Sequence, residues 1–311
     1  MGWSPGSLKS ESVVYIEGGL VFYPISRFTL APIANQSTVE GHPDLGTRGV
    51  NGAVFPATRT TGLQLRGWTL GKRIGFRGGI YEGVQGSAGA GLNPKSSPAF
   101  GALVNFDLIG SEEGGYLYPT VNFRKAGETV LSLSVASTYQ SNAIRVTKGV
   151  TDQRSLTSTL YLDMPVTEQQ ELVAILGGYL YGNGSGSRDT GVGASIDLGY
   201  RYRFVRPYVA FEYFASADCP TDGSATTVQC AAAYTGDSRS FRAGLDFYAN
   251  KNLNHLQLEF SLNRGQSSWG EQSVAAANAG YVPKIPVGEP AATSLARTAS
   301  KSLLLHWHVS F

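Results

Sequence analysis

KSLLLHWHVSF, residues 301–311, closes the chain on an aromatic side chain. Every second residue of this stretch is apolar: Leu303, Leu305, Trp307, Val309 and Phe311. The positions between them are mostly polar, namely Ser302, His306, His308 and Ser310, with Leu304 as the exception. Because successive side chains of a β-strand point to opposite faces, this pattern predicts a strand with one apolar and one polar face.

A strand of this pattern that ends on the final aromatic residue resembles the closing strand of a bacterial outer-membrane β-barrel. In that class of protein, the terminal segment is also the address that the assembly machinery reads. The edge strand of a soluble sheet alternates in the same way, so the rest of the chain has to discriminate between the two.

The composition is typical of a β protein with many turns. The 311 residues include 39 Gly, 16 Tyr and 14 Phe, and only 15% are charged, against roughly 25% in soluble domains. The net charge of +2 and the lack of a basic run argue against a nucleic-acid partner. No apolar run reaches the length of a transmembrane helix, and the opening MGWSPG predicts no signal peptide.

Cys219 and Cys230 frame a turn-rich segment. This predicts a disulfide and an oxidising compartment, and two free thiols are the alternative. With no His or other Cys nearby, no metal site is expected there.

Twelve segments alternate with period two and have the length of tilted membrane strands. They are 12–22, 60–69, 73–81, 98–109, 128–140, 154–165, 170–181, 190–204, 207–216, 238–249, 253–264 and 298–311. An even number of strands places both chain ends on the same side of the membrane. Hydrocarbon does not tolerate unpaired strand edges. The chain therefore either closes on itself as twelve strands, with 12–22 paired directly to 298–311, or, as a fragment of a larger barrel, leaves a gap or a strained closure between them. We expect direct pairing.

The charges of these segments avoid the apolar phase. In 190–204, Asp197 and Arg201 oppose Ile196, and in 238–249, Arg242 and Asp246 oppose the apolar positions. An Arg or Lys that faces lipid at the bilayer midplane costs roughly 2–4 kcal/mol. A soluble sandwich also alternates, but we would expect more surface Lys and Glu in it. The pattern favours an all-β fold: a transmembrane antiparallel up-and-down β-barrel that forms a single domain over residues 1–311.

The connections alternate between long and short, as in outer-membrane barrels. The segments 23–59, 82–97, 141–153, 182–189, 217–237 and 265–297 are predicted as outer loops. The inner turns are then 70–72, 110–127, 166–169, 205–206 and 250–252, of which 110–127 is too long for a tight turn.

Several short motifs resemble the phosphate-selective porin O/P family. They are TTGLQLRG at 60–67, FRGGIYEGV at 76–84, FGALVNFD at 100–107, VLSLS at 130–134, RPYVAFEYF at 206–214 and the terminal Phe311. The resemblance implies a sixteen-stranded, trimeric barrel in the bacterial outer membrane, in which about four N-terminal strands are absent from this chain. It also implies that 23–59 folds inward as the constriction loop and that arginines line an anion path.

The leading interpretation is therefore a porin, a water-filled channel for small hydrophilic solutes that mildly favours anions, phosphate among them. Such a channel contacts membrane lipids and needs no catalytic constellation and no cofactor. The candidate pore-lining residues are Arg27, Arg48 and Arg59 in the loop and Arg66, Arg77, Arg201, Arg203 and Arg242 on the wall. Cross-strand pairing of these arginines with acidic residues would weaken the preference for anions.

Two alternatives belong to other classes. A barrel enzyme such as a lipid hydrolase would use His306 or His308 beside Ser310, but no G-x-S-x-G element is present. A soluble all-β binding protein would not sediment with membranes.

Overall fold

The structure is a computed structural model that describes residues 2–3, 12–30, 59–83, 95–112, 118, 123–146, 149–182, 190–216, 238–250, 254–265 and 299–309. They form one antiparallel up-and-down sheet in which each strand pairs with the next along the chain. The strands are β1 (Gly2–Trp3), β2 (Val13–Phe22), β3 (Arg59–Thr69), β4 (Ile74–Tyr81), β5 (Ala99–Ile109), β6 (Val130–Val146), β7 (Gly149–Thr167), β8 (Gln170–Gly182), β9 (Gly191–Tyr202), β10 (Val205–Ser216), β11 (Ser238–Asn250), β12 (Asn254–Gly265) and β13 (Ala299–Val309). Within these ranges, a 3-10 turn at Phe28–Leu30 is the only helical element, and no helix is long and apolar enough to cross a membrane.

All twelve predicted segments form strands, and ten of them agree with the prediction within two residues at each described end. The two exceptions are β6 and β7, which continue through most of the predicted outer loop 141–153. Ile144 pairs with Thr151 and Val146 pairs with Gly149, after a shift in register that follows Gln140. The prediction of a loop there was wrong, because these cross-strand pairs continue the ladder and lengthen the hairpin.

The two faces of the sheet have opposite character. On the inner face, the side chains are buried and mostly polar or charged, whereas on the outer face they are largely apolar and exposed. Asp197 of β9 is 3% exposed, and the next residue, Leu198, is 40% exposed. On β12, Gln257 is 1% exposed and Leu258 is 37% exposed. A soluble sheet places its apolar face inward. This sheet is inverted in that sense, because its polar face is inside and its apolar face is outside.

The sheet curves around segment 23–30, which follows β2. Phe28 packs against aromatic side chains of β7, β8 and β10. The Thr157 hydroxyl of β7 donates a hydrogen bond of 2.7 Å to the Ile25 carbonyl, and Tyr23 packs edge-on against Tyr81 of β4. Contacts from one short segment to strands this far apart make the inner face concave.

The expected ladder between segments 12–22 and 298–311 is not formed by the described residues. There, β13 pairs with β12, and no ladder joins β13 to β1 or β2. The second edge of β2 is instead occupied by β1, in which Gly2 lies opposite Glu17 and Trp3 lies opposite Ile16. Over Ile16 and Glu17, this edge of β2 already carries hydrogen bonds and cannot accept a second partner.

Candidate functional site

The inner face of the sheet carries a dense set of ion pairs. Almost every arginine on it lies close to a carboxylate of another strand or connection. The pairs are Arg66–Glu17 at 2.9 Å, Arg124–Asp163 at 3.1 Å, Arg201–Glu171 at 2.8 Å and Arg206–Asp246 at 2.7 Å. Arg242 lies 3.9 Å from Glu212 and 4.0 Å from Glu259, so two carboxylates share it. Buried charges require such partners, because desolvation of an isolated ion is costly.

The structure places five of the predicted pore-lining arginines on the inner face or in contact with it: Arg27, Arg66, Arg77, Arg201 and Arg242. Arg203 lies instead in the exposed turn between β9 and β10, because β9 ends at Tyr202. Its guanidinium contacts Gln169 and the ring of Tyr202. Arg48, Cys219 and Cys230 lie outside the described residues, as does the side chain of Arg59.

The charge balance of the inner face is acidic. Among the described residues, the charged side chains that are buried or half-buried include seven arginines and no lysine, against nine carboxylates. The arginines are Arg27, Arg66, Arg77, Arg124, Arg201, Arg206 and Arg242. The carboxylates are Glu17, Asp107, Glu112, Asp163, Glu171, Asp197, Glu212, Asp246 and Glu259. This difference of two favours a negative potential in the space that the sheet encloses.

Glycines on the inner face make room for tyrosines that reach across a strand. Tyr208 of β10 passes over Gly244 of β11, and its hydroxyl donates a hydrogen bond of 2.7 Å to Glu259 of β12. Tyr179 of β8 lies over Gly193 of β9 in the same way, and it donates a hydrogen bond of 3.1 Å to Glu212 of β10. Each tyrosine thereby fixes one of the two carboxylates that share Arg242.

This arrangement predicts a cost for a methyl group at Gly244. A Cβ there would lie 2.5 Å from the Tyr208 ring, so Gly244→Ala has to displace a side chain that Glu259 holds. We expect a loss of about 1–3 kcal/mol in the free energy of unfolding, measured by urea denaturation in phospholipid vesicles. Gly18→Ala is the matched control, because its Cβ would meet nothing closer than 3.6 Å. Equal stability of the two variants would contradict the close approach.

Segment 23–30 and the connection 110–129 meet within the concave face. Arg27 is 2% exposed, and its guanidinium binds both oxygens of Glu112 at 2.6 Å. It also lies 3.9 Å from the centre of the Tyr161 ring. Burial alone would lower the pKa of Arg27, but the adjoining Glu112 carboxylate outweighs this effect and raises the pKa above its ordinary value. Burial raises the pKa of Tyr118, from the same connection, to about 12.

The sequence reasoning missed several inner-face residues, chiefly Arg206 and Glu112. Arg206 lies one residue before the predicted strand 207–216 and was not among the candidate pore-lining residues. It nevertheless shares the inward phase of Tyr208 and Glu212, and that phase could have revealed it. The Ser111-Glu112 stretch of the connection was interpreted only as a turn. Its path into the interior depends on contacts with distant strands, which no local pattern reveals.

Comparisons with known proteins add little beyond this geometry. No family model and no curated protein matches the chain, so the resemblance to the phosphate-selective porin O/P family stays a prediction. Among the solved structures that match is the crystal structure of the outer membrane channel DcaP of Acinetobacter baumannii. It is 13% identical, with a TM-score of 0.44, over 84% of this chain and 72% of that chain. A similarity of this size does not bear on solute, selectivity or assembly.

Proposed function

We propose that this protein is a porin of the bacterial outer membrane, a β-barrel through which small hydrophilic solutes diffuse. The observation that carries the proposal is the inverted sheet, with charges on the inner face and apolar side chains on the outer face. Leu63, Leu176 and Leu305 expose 58%, 45% and 69% of their surface. An apolar face of this kind suits lipid, and alternation of apolar-out with polar-in is the pattern of outer-membrane barrels.

Segment 23–30 supports the proposal that 23–59 is the constriction loop. Ser26, Arg27 and Leu30 are buried against the inner face, and the rest of the loop lies outside the described residues. The inner-face side chains are themselves almost inaccessible, with Asp246 and Glu259 at 0% exposure. This packing supports the proposal that the passage is narrow where segment 23–30 lies.

The ion pairs argue for weak selectivity. An arginine that is bonded to a carboxylate presents little net charge to a passing anion, and Arg66 and Arg201 are both bonded in this way. The acidic balance of the described inner face favours cations instead. The mild preference for anions expected from the sequence is thus not supported by these residues. Phosphate specificity and a trimer stay predictions that rest on the resemblance.

We expect the channel to favour cations in a salt gradient, with a cation-to-anion permeability ratio of about 2–4. The measurement is the reversal potential across a planar bilayer. Arg66→Ala should shift the reversal potential further towards cations and Glu17→Gln towards anions, because each removes one member of the Arg66–Glu17 pair. A wild-type reversal potential on the anion side would contradict this expectation and would favour the arginine-lined path.

Membrane location and solute flux test the function itself. The protein is expected in the outer-membrane fraction, with migration on gels that changes on heating. Vesicles that contain it should swell in small sugars and should swell less as sugar size increases. Phospholipid hydrolysis in detergent, without flux, would favour the barrel enzyme. A protein that remains in the supernatant after membranes are sedimented would favour the soluble alternative.

A further inference from the structure

Glu112 lies at the centre of a polar cluster that joins the connection 110–129 to the barrel wall. Its carboxylate accepts a hydrogen bond from the Ser132 hydroxyl of β6, and its backbone N–H donates one of 2.8 Å to Asp107 of β5. The same carboxylate binds both terminal nitrogens of Arg27 at 2.6 Å. Charge-assisted pairs with this two-point geometry are among the strongest hydrogen bonds in proteins.

The two segments that meet at this pair enter from opposite ends of the sheet. Segment 23–30 follows Phe22, which pairs with the first residue of β3. The connection 110–129 follows Ile109, beside the end of the sheet where β3 turns into β4. A backbone hydrogen bond of 3.1 Å from Tyr118 to Leu30 adds a second link between them. Since neither link is local in sequence, each segment is held in place by the other.

The connection is anchored on its far side as well. The Arg124 guanidinium lies 3.1 Å from Asp163 of β7. The Phe123 ring packs edge-on against Tyr248 of β11 and under the guanidinium of Arg201 of β9. Contacts with three strands anchor the described end of this connection at Phe123 and Arg124.

We propose that Glu112 is a positioning residue for the constriction: it holds Arg27, and with it segment 23–30, in the enclosed space and thereby sets the width of the pore. The inference rests on the proposed channel function. Loss of the carboxylate charge removes one partner of a buried ion pair, which leaves Arg27 without its strongest anchor. The segment then keeps the Thr157–Ile25 and Tyr118–Leu30 hydrogen bonds and its ring contacts, but it loses the charged link that fixes Arg27.

Accessibility of Ser26 gives a readout that does not depend on transport. Ser26 is 0% exposed, so Ser26→Cys should be protected from a small charged thiol reagent, in a background where Cys219 and Cys230 are replaced by serine. Adding Glu112→Gln should raise the labelling rate at least about tenfold, as expected when a buried ion pair is broken. Glu128→Gln is the matched control, because Glu128 lies in the same connection but is exposed. It should leave the rate unchanged.

Conductance gives the second readout. Glu112→Gln should raise the unitary conductance about two- to fivefold, as expected when a constriction widens, and Glu128→Gln should match the wild type. The double variant Arg27→Glu with Glu112→Arg restores opposite charges and should return both readouts towards wild-type values. Unchanged labelling of Ser26→Cys in Glu112→Gln would overturn the positioning role. Faster labelling with no conductance in any variant would uphold that role and overturn the channel.

Discussion

Asp246→Ala is expected to lower the free energy of unfolding by about 3–5 kcal/mol. Asp246 is 0% exposed, and it accepts hydrogen bonds of 2.7 Å from Arg206 and 3.1 Å from the Tyr248 hydroxyl. Removing its carboxylate takes away the charged partner that lies 2.7 Å from the buried Arg206 guanidinium. Urea denaturation in phospholipid vesicles measures the effect.

The control for this prediction replaces both partners. Arg206→Met with Asp246→Leu exchanges the ion pair for apolar side chains of similar size, and such exchanges are often neutral or stabilising. We therefore expect the double variant to be more stable than Asp246→Ala alone. If Asp246→Ala were as stable as the wild type, water would already solvate Arg206, and the inner face would be open rather than packed.

Leu176→Arg on the outer face is expected to cost roughly 2–4 kcal/mol. Leu176 lies at the middle of β8 and is 45% exposed, so in a membrane its side chain meets the hydrocarbon core, where a guanidinium is poorly solvated. The measurement is the free energy of unfolding in phospholipid vesicles. The same substitution on the surface of a soluble sheet would cost little.

Val166→Arg is the matched control, because it introduces the same side chain near the membrane surface instead of at the middle of the bilayer. Val166 is 52% exposed and lies next to the last residue of β7, beside the turn to β8. An arginine near the interface reaches the headgroups and costs only about 0–1 kcal/mol. If both substitutions lowered the free energy of unfolding by similar amounts, the cost would not depend on the position of the residue across the bilayer. Lipid contact would then not explain the apolar outer face.

The strands and their facing could be predicted because both are local properties. Leu198 and Asp197 differ in polarity and are neighbours, so their order alone assigns them to opposite faces of any strand. The extension of β6 and β7 was missed because it depends on cross-strand pairs such as Val146 with Gly149. The early start of β10 was missed because Pro207 was expected to begin the strand, whereas its side chain faces outward on a strand that is already formed.

The chemistry of the inner face was harder to predict. The alternation of side chains along a strand shows that Arg66 and Arg201 face inward, but it does not show which carboxylates they contact. Glu17 and Glu171 bind them from neighbouring strands, and register across the sheet decides this pairing. The partner of Arg27 lies in a connection 85 residues away along the chain. Tertiary contacts of this kind turn an expected anion path into a nearly balanced, slightly acidic interior.

The conductance of a planar bilayer tests the central claim most directly, with the wild-type protein and Glu112→Gln measured in the same salt. We predict discrete current steps from folded protein, a reversal potential that favours cations, and larger steps from Glu112→Gln. If neither protein produced a current, although each is inserted in the bilayer and heat-modifiable on gels, the channel function would be contradicted. The protein would then be a membrane barrel with a different function.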